Sequence, residues 1–497
     1  MIIHRNVELS RCALIVLILV LSALPVFADG PAWVAELTEV QRITRTIAEP
    51  LHAEAINIWL PAGEYATVGV YDTQTADAQP PDGVQADVWI IWYEHRTLFA
   101  GRSEEREEAV AFHLSPPRYH EPTGSFAVRL HAEKPGEYVV PIECSTNTVT
   151  VTLHVVEPVP ESDVGFGFYT DWGRYAYPEH ERLYFRHMAE YGCNTFTPYG
   201  LTAKNAAIIA RQIDAAIEEG LLDERFPLLC LSVGKTELDE AKELGQHTEQ
   251  WPELIGYNWD EPGATEETAR GVAAESEAWH EAGYRTGTAL SANSAFLFGE
   301  LLDIWILHMD TVSKYIRRHA KNLGAEFWMY NCTARGTNAP LHRYYNGIYT
   351  FAVRPRVNLM WAYMHDAKSR INKDGTWWYN GCCEHALLTP DGPISTVGLE
   401  GYRDGTVDYR VLRELERLIE ANPKHKVTPE AAAWLQDLVD RVDTRFWPGG
   451  RHADDYSDYP WDGRDTVVPP ITDFSEMRRQ ALGYLAQIGG GFEELNE

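Results

Sequence analysis

The chain predicts an α/β protein in which an N-terminal β-sandwich domain is followed by a (β/α)8 TIM barrel. Three observations lead there: hydrophobicity of period two between about residues 35 and 157, a proline-containing break at 157–163, and then eight apolar segments separated by helical patterns.

In the first stretch Val149, Val151, Leu153 and Val155 alternate with Thr150, Thr152 and His154, which places the apolar side chains on one face of a strand. Further strands are read at 55–60, 65–71, 86–93, 125–130 and 137–142, with Pro135-Gly136 supplying a turn. Several short strands joined by turns suggest a sandwich. Glu157-Pro-Val-Pro-Glu-Ser-Asp163 cannot continue a ladder, because its prolines lack an amide hydrogen, and reads as the linker.

Beyond it, strands are expected at 165–169, 194–199, 227–231, 254–259, 284–290, 303–309, 325–330 and 359–364. The first connecting helix starts near Pro178 and carries Tyr184, Met188 and Tyr191 on one face; the second carries Ile209, Ile213 and Ile217 and ends near Gly220. After the fourth strand, Thr265 can cap a helix that Gly283 can end. Right-handed crossovers bring all strand ends to one rim, where a barrel keeps its active site. The expected organisation is a signal peptide at 1–28, the sandwich at 29–160, the barrel at 161–425, and a C-terminal helical extension at 426–497 packing on the barrel.

Arg5 and Arg11 precede or flank an apolar run from Ala13 to Val26 that ends in small residues, as a secretory signal cut after Ala28 would. The run is short for a membrane span, so a secreted or periplasmic protein with no membrane association after cleavage is expected. Loss of residues 1–28 removes Arg5, Arg11 and Glu8 and takes the formal charge from −30 to −31. That balance argues against nucleic acid and anionic membrane surfaces as partners. The six cysteines after the signal form no C-x-x-C pair, so neither zinc nor a redox motif is indicated.

The rim collects Tyr169, Asp171 and Trp172, then Tyr199, then Asn258, Trp259, Asp260 and Glu261, then His308 and Asp310, Tyr330 and Asn331, and Trp361, Tyr363, His365 and Asp366. Acids that protonate a leaving oxygen and stabilise an oxocarbenium-like centre, beside aromatics that hold a ring, are what glycosidic cleavage needs. Asp-Glu also occurs at 223–224 and 239–240, but among charged neighbours; Asp260-Glu261 closes an apolar strand and is followed by Pro262-Gly263. This pair is the catalytic candidate; a structural ion pair or a helix-entry acid is the alternative. His308, His365 and Asp310 lack a ligand spacing such as His-x-x-x-His, so no metal and no cofactor is expected. Trp377, Trp378 and Tyr379 in a polar insertion either stack on sugar or fill their own loop.

Tyr257-Asn-Trp-Asp-Glu-Pro262, with Thr389-Pro-Asp-Gly-Pro-Ile-Ser395 leading into Glu400-Gly-Tyr-Arg-Asp-Gly-Thr-Val-Asp-Tyr409, resembles glycoside hydrolase family 123 and its relatives, the domain-of-unknown-function 4091 proteins. The resemblance covers roughly residues 160–420. Arg403, Gly405, Asp408 and Tyr409 fall on the family's Arg-x-Gly-x-x-Asp-Tyr element. It implies a retaining, β-N-acetylgalactosaminidase-like mechanism in which the substrate's 2-acetamido oxygen attacks the anomeric carbon. Asp260 would orient that group, and Glu261 would protonate the leaving oxygen and later activate water. Substrate contacts are then expected from Tyr169, Trp172, Tyr199, Asn258, Trp259, His308, Asp310, Tyr330, Asn331, Trp361 and Tyr363.

Two rivals to that mechanism stay open. A two-carboxylate glycosidase would pair Glu261 with a nucleophile such as Asp310, and a non-catalytic glycan-binding protein would need neither acid. Within the second motif, Arg403 and Asp408 serve either the family's chemistry or only the capping and pinning of the last helix.

Overall fold

A computed structural model describes residues 31–38, 53–99, 105–116, 119, 122–171, 178–199, 206–230, 244, 251–257, 259–332, 338–364, 370–371, 377–378, 385–442 and 469–489. The signal segment, Trp172, Asn258, His365, Asp366 and Tyr379 lie outside the described residues, as do the side chains of Asp171, Tyr199, Asp310, Trp377 and Trp378.

The N-terminal region is β-rich. It comprises β1 (Trp33–Glu36), β2 (Ala55–Pro61), β3 (Tyr65–Tyr71), β4 (Ala76–Ala78), β5 (Val84–Phe99), β6 (Glu105–Ser115), β7 (Ser125–Ala132), β8 (Gly136–Cys144) and β9 (Thr148–Val156). One sheet runs β1-β3-β7-β5-β6 and the other β2-β9-β8-β4. The alternation at 149–155 does what its period dictates: Val149, Val151, Leu153 and Val155 share one core with Val68 and Val70 of β3 and Val128 and Leu130 of β7.

The following region winds β10 (Gly165–Asp171), β11 (Thr195–Tyr199), β12 (Leu228–Cys230), β13 (Leu254–Tyr257), β14 (Arg285–Leu290), β15 (Ile304–His308), β16 (Glu326–Asn331) and β17 (Val357–Met360) into an eight-stranded sheet of order β11-β10-β17-β16-β15-β14-β13-β12. Its recorded ladders are parallel. Side chains alternate between two faces. Tyr169, Tyr257, Ile304, Ile306, Trp328, Tyr330, Val357 and Leu359 form one apolar cluster, whereas Phe166, Phe168, Leu254, Trp305, Leu307, Met329 and Met360 face a larger core shared with the helices. β10 and β13 stand five places apart, about 24 Å in a flat sheet. Their Tyr169 and Tyr257 nevertheless share one cluster and interact electrostatically, so the sheet is curled.

Helices fill the connections. They are α1 (Glu181–Glu190), α2 (Ala206–Glu218), α3 (Glu266–Glu281), α4 (Ala292–Phe298), α5 (Lys314–Leu323), α6 (Ala339–Tyr344) and α7 (Thr350–Val353), and, after the short strands β18 (Arg370–Ile371), β19 (Trp377–Trp378), β20 (Ala386–Thr389) and β21 (Gly392–Ser395), α8 (Val397–Ala421), α9 (Thr428–Asp440) and α10 (Phe474–Gly489). Thr265 caps α3 by accepting from the Thr268 amide, as its sequence predicts. β5 runs six residues past its expected end at 93, and among the parallel strands the ends shift by up to four residues from the sequence reading. The last of these shifts most, because residues 357–358 pair with β10 and β16 while Tyr363 lies past its end.

α8 joins the two regions. Val397 packs into an apolar cluster with Trp33, Tyr71 and Leu114 of the five-stranded sheet. A Cβ on Gly401 would lie 2.0 Å from the Ala339 carbonyl oxygen, and one on Gly405 would lie 2.8 Å from that of Arg343, so both glycines are needed for α8 to approach α6.

Candidate active site

β13 buries Ile255 and Tyr257 on the inner face and then hands the chain to an exposed turn containing Trp259, Asp260 and Glu261. Tyr257 points back into this turn, and its hydroxyl donates to Asp260 Oδ1 at 2.5 Å. Glu261 has φ +45°, in the left-handed region that side-chain-bearing residues seldom occupy and that is enriched at functional sites. Its Oε1 accepts a hydrogen bond from Tyr330 at the end of β16. Two neighbouring carboxylates are thus gripped by tyrosines from different strands.

Both tyrosines are committed donors. Burial, then the neighbouring Tyr169 and Asp260, pushes the Tyr257 hydroxyl well above its ordinary range; burial and then the Glu261 charge do the same for Tyr330. Tyr169 meets Tyr330 edge to face at 6.5 Å and Trp361 at 5.4 Å, and the His308 ring stands 4.9 Å from Tyr330. The structure therefore brings Tyr169, Tyr257, His308, Tyr330 and Trp361 together beside the acid pair.

Other expected contacts are placed elsewhere. Trp259 is 39% exposed but lies over α3: its Nε1 donates to Glu275 Oε1 at 2.7 Å, and its ring fills the space above Gly271. Tyr363, expected on the rim, is fully buried in the outer core against Phe168, where its hydroxyl meets His187 Nδ1 at 2.6 Å. Asn331 is 1% exposed because strand alternation turns it away from the inner face.

The second motif stands apart from the acid pair. Arg403 bonds Thr67 at 3.0 Å and pairs with Glu400 at 2.9 Å; Asp408 accepts from Arg343 Nε at 2.7 Å and Arg478 Nε at 2.6 Å; the Tyr409 hydroxyl donates to Asp163 at 2.6 Å. These residues pin α8 to β3, α6, α10 and the linker. Asp408 and Arg403 pin α8 but do not cap it: Thr396 caps α8, and Asp408 sits in its interior.

The sequence reading left out Tyr257 and Cys332. Both were signalled by period two, since Tyr257 follows Ile255, and Cys332 follows Tyr330, by two residues. Among the described residues, no group of three His, Cys, Asp or Glu side chains is arranged to hold a metal ion, and no helix is long and apolar enough to cross a membrane.

By sequence the chain matches no family model and no curated protein. By structure it is similar to a family 123 glycoside hydrolase from Clostridium perfringens studied for glycolipid glycan hydrolysis, with a TM-score of 0.61 at 10% identity over 93% of this chain and 100% of that one. At that identity the likeness is one of fold. Smaller overlaps exist with an FMN-binding β-glucuronidase from Facaelibacterium prausnitzii (12% identity, TM-score 0.33, 70% of this chain and 60% of that one) and a β-glycosidase (10%, 0.37, 50% and 97%).

Proposed function

We propose that the protein is an exported, retaining glycoside hydrolase acting on a 2-acetamido sugar, with a sandwich packed on a closed (β/α)8 barrel. The observation that carries this reading is the Asp260–Glu261 pair at the C-terminal end of β13, each carboxylate held by a tyrosine from the inner face of the curled sheet. The fold-wide likeness to a family 123 enzyme supports it. So does the strand order, which becomes a barrel if β11 closes on β12.

Asp260, fixed by Tyr257, orients the acetamido group and stabilises the cyclic intermediate as positive charge develops. Glu261 gives its proton to the leaving oxygen and later takes one from water. Tyr169, Trp361 and His308 line the approach to the sugar. A matched set of aryl glycosides with and without a 2-acetamido group tests the assignment: turnover confined to the acetamido members is expected. Equal turnover of glycosides lacking that group would remove the substrate's own nucleophile from the mechanism.

A further inference from the structure

Beside Tyr330, the donor to Glu261, stands a thiol–imidazole pair for which neither proton donation nor acetamide orientation has a use. Cys332 follows Tyr330 by two residues, which returns its side chain to the inner face, where it packs on the cluster containing Tyr169, Tyr330 and Trp361. Its Sγ lies 3.2 Å from Nε2 of His308 at the end of β15. His308 is 6% exposed, whereas Cys332 is half-buried and not in a disulfide. An imidazole within hydrogen-bond reach of a thiol can take its proton as the sulfur attacks, the arrangement that turns a weak nucleophile into an effective one.

We propose that Cys332 and His308 form a covalent modification site at the C-terminal edge of the sheet, one that accepts soft carbon electrophiles of the maleimide and conjugated-enone class and thereby blocks the glycan cleft. In the step, the sulfur forms a bond to the electrophile's β-carbon and the π pair of the double bond moves towards the carbonyl. The thiol proton passes to His308 and then to the α-carbon, leaving His308 unchanged. The addition needs no oxidant or reductant. Blockade rests on the glycosidase reading above; the reactivity of the thiol does not.

Cys144 supplies an internal reference. It too is half-buried, but its Sγ faces the Ile142 carbonyl, at 3.6 Å, and hydrogen-bonding groups of Thr73 and Val149 rather than an imidazole, and burial raises its thiol above the ordinary range. The test is timed labelling of the full-length protein with limiting N-ethylmaleimide, followed by digestion and peptide mass spectrometry. Cys332 is expected to label at least about tenfold faster than Cys144, and His308→Gln to remove most of that advantage while leaving the Cys144 rate unchanged. Glycoside turnover should fall in step with Cys332 labelling, and whatever turnover Cys332→Ser retains should resist the reagent. Equal labelling of the two cysteines, or an undiminished Cys332 rate in His308→Gln, overturns the pair. Full turnover by protein labelled at Cys332 overturns the blockade. A protein that cleaves no glycoside before labelling sinks the glycosidase reading, while the labelling ratio still decides the pair.

Discussion

Glu261 combines a left-handed backbone with a side chain held by a buried tyrosine, so its position is fixed from both ends. Glu261→Gln should lower kcat by roughly a hundred- to ten-thousandfold, most for substrates with poor leaving groups and least for activated aryl glycosides. Asp260→Asn should slow ring closure for every leaving group, because the acetamido nucleophile loses its orienting partner. Steady-state kinetics over a leaving-group series separates the two; equal leaving-group sensitivity in both variants would refute the division of labour. Tyr330→Phe keeps the ring against Tyr169 and His308 but removes the hydrogen bond to Glu261. Glu261 then loses the contact that positions its side chain, so kcat should fall by up to about a hundredfold. An unchanged kcat would show that Tyr330 does not position the acid.

At the scale of elements, α8 holds the molecule together through buried charge. Glu400 pairs with Arg129 at 2.6 Å and Arg403 at 2.9 Å, and Asp408 with Arg343 and Arg478, while Glu36 of β1 meets Arg343 and Ser475. Removing one partner strands the others in low dielectric, so Asp408→Ala should cost about 3–5 kcal/mol in denaturant unfolding while the kcat of the folded fraction is retained. Gly401→Ala, which meets the Ala339 carbonyl, should cost about 1–3 kcal/mol by overpacking. Acid should also find this region. Burial, then Arg129, lowers His187 from 6.5 to about 3, so below pH 6.5 the unfolded chain takes up a proton that the folded chain refuses. Burial would raise Glu400, but Arg129 and Arg403 outweigh it and hold it at about 2, which adds a second loss below pH 4.5. Each group contributes stability that is present above its unfolded pKa and lost as pH falls towards its folded one. Unfolding midpoints should decline from about pH 6.5 with a slope of at most about 1.4 kcal/mol per pH unit from His187, and His187→Gln should flatten that limb.

What was legible in the sequence follows from which forces are local. Period two placed β2, β3, β7, β8 and β9, and the strand-and-helix rhythm placed the strands of the parallel sheet, because each exposes its alternation within its own residues. β6 was missed: Glu105-Arg-Glu-Glu108 reads as a charged surface run and pairs only because β5 lies beside it. Arg343 and Arg478 drew no reading from the sequence and Arg403 drew one only through its motif, yet all three are almost wholly buried, since their partners come from strands and helices up to hundreds of residues away. For the same reason the acid pair was legible as a strand end, whereas the tyrosine grip on Glu261 was not.

For the whole molecule, the export prediction is that the secreted form begins near Asp29, which intact-mass spectrometry of the exported protein reads directly; a start at Met1 would contradict it. In the proposed mechanism two adjacent acids at one strand end share a substrate-assisted displacement, with ring closure and ring opening each inverting the anomeric carbon once. Proton NMR of the first-formed sugar during cleavage of a β-linked 2-acetamido glycoside measures this most directly. The β-anomer should appear first and mutarotate afterwards. First appearance of the α-anomer, or retention on substrates without the acetamido group together with complete loss in Asp310→Ala, would rule out the acetamido nucleophile and favour two separated carboxylates.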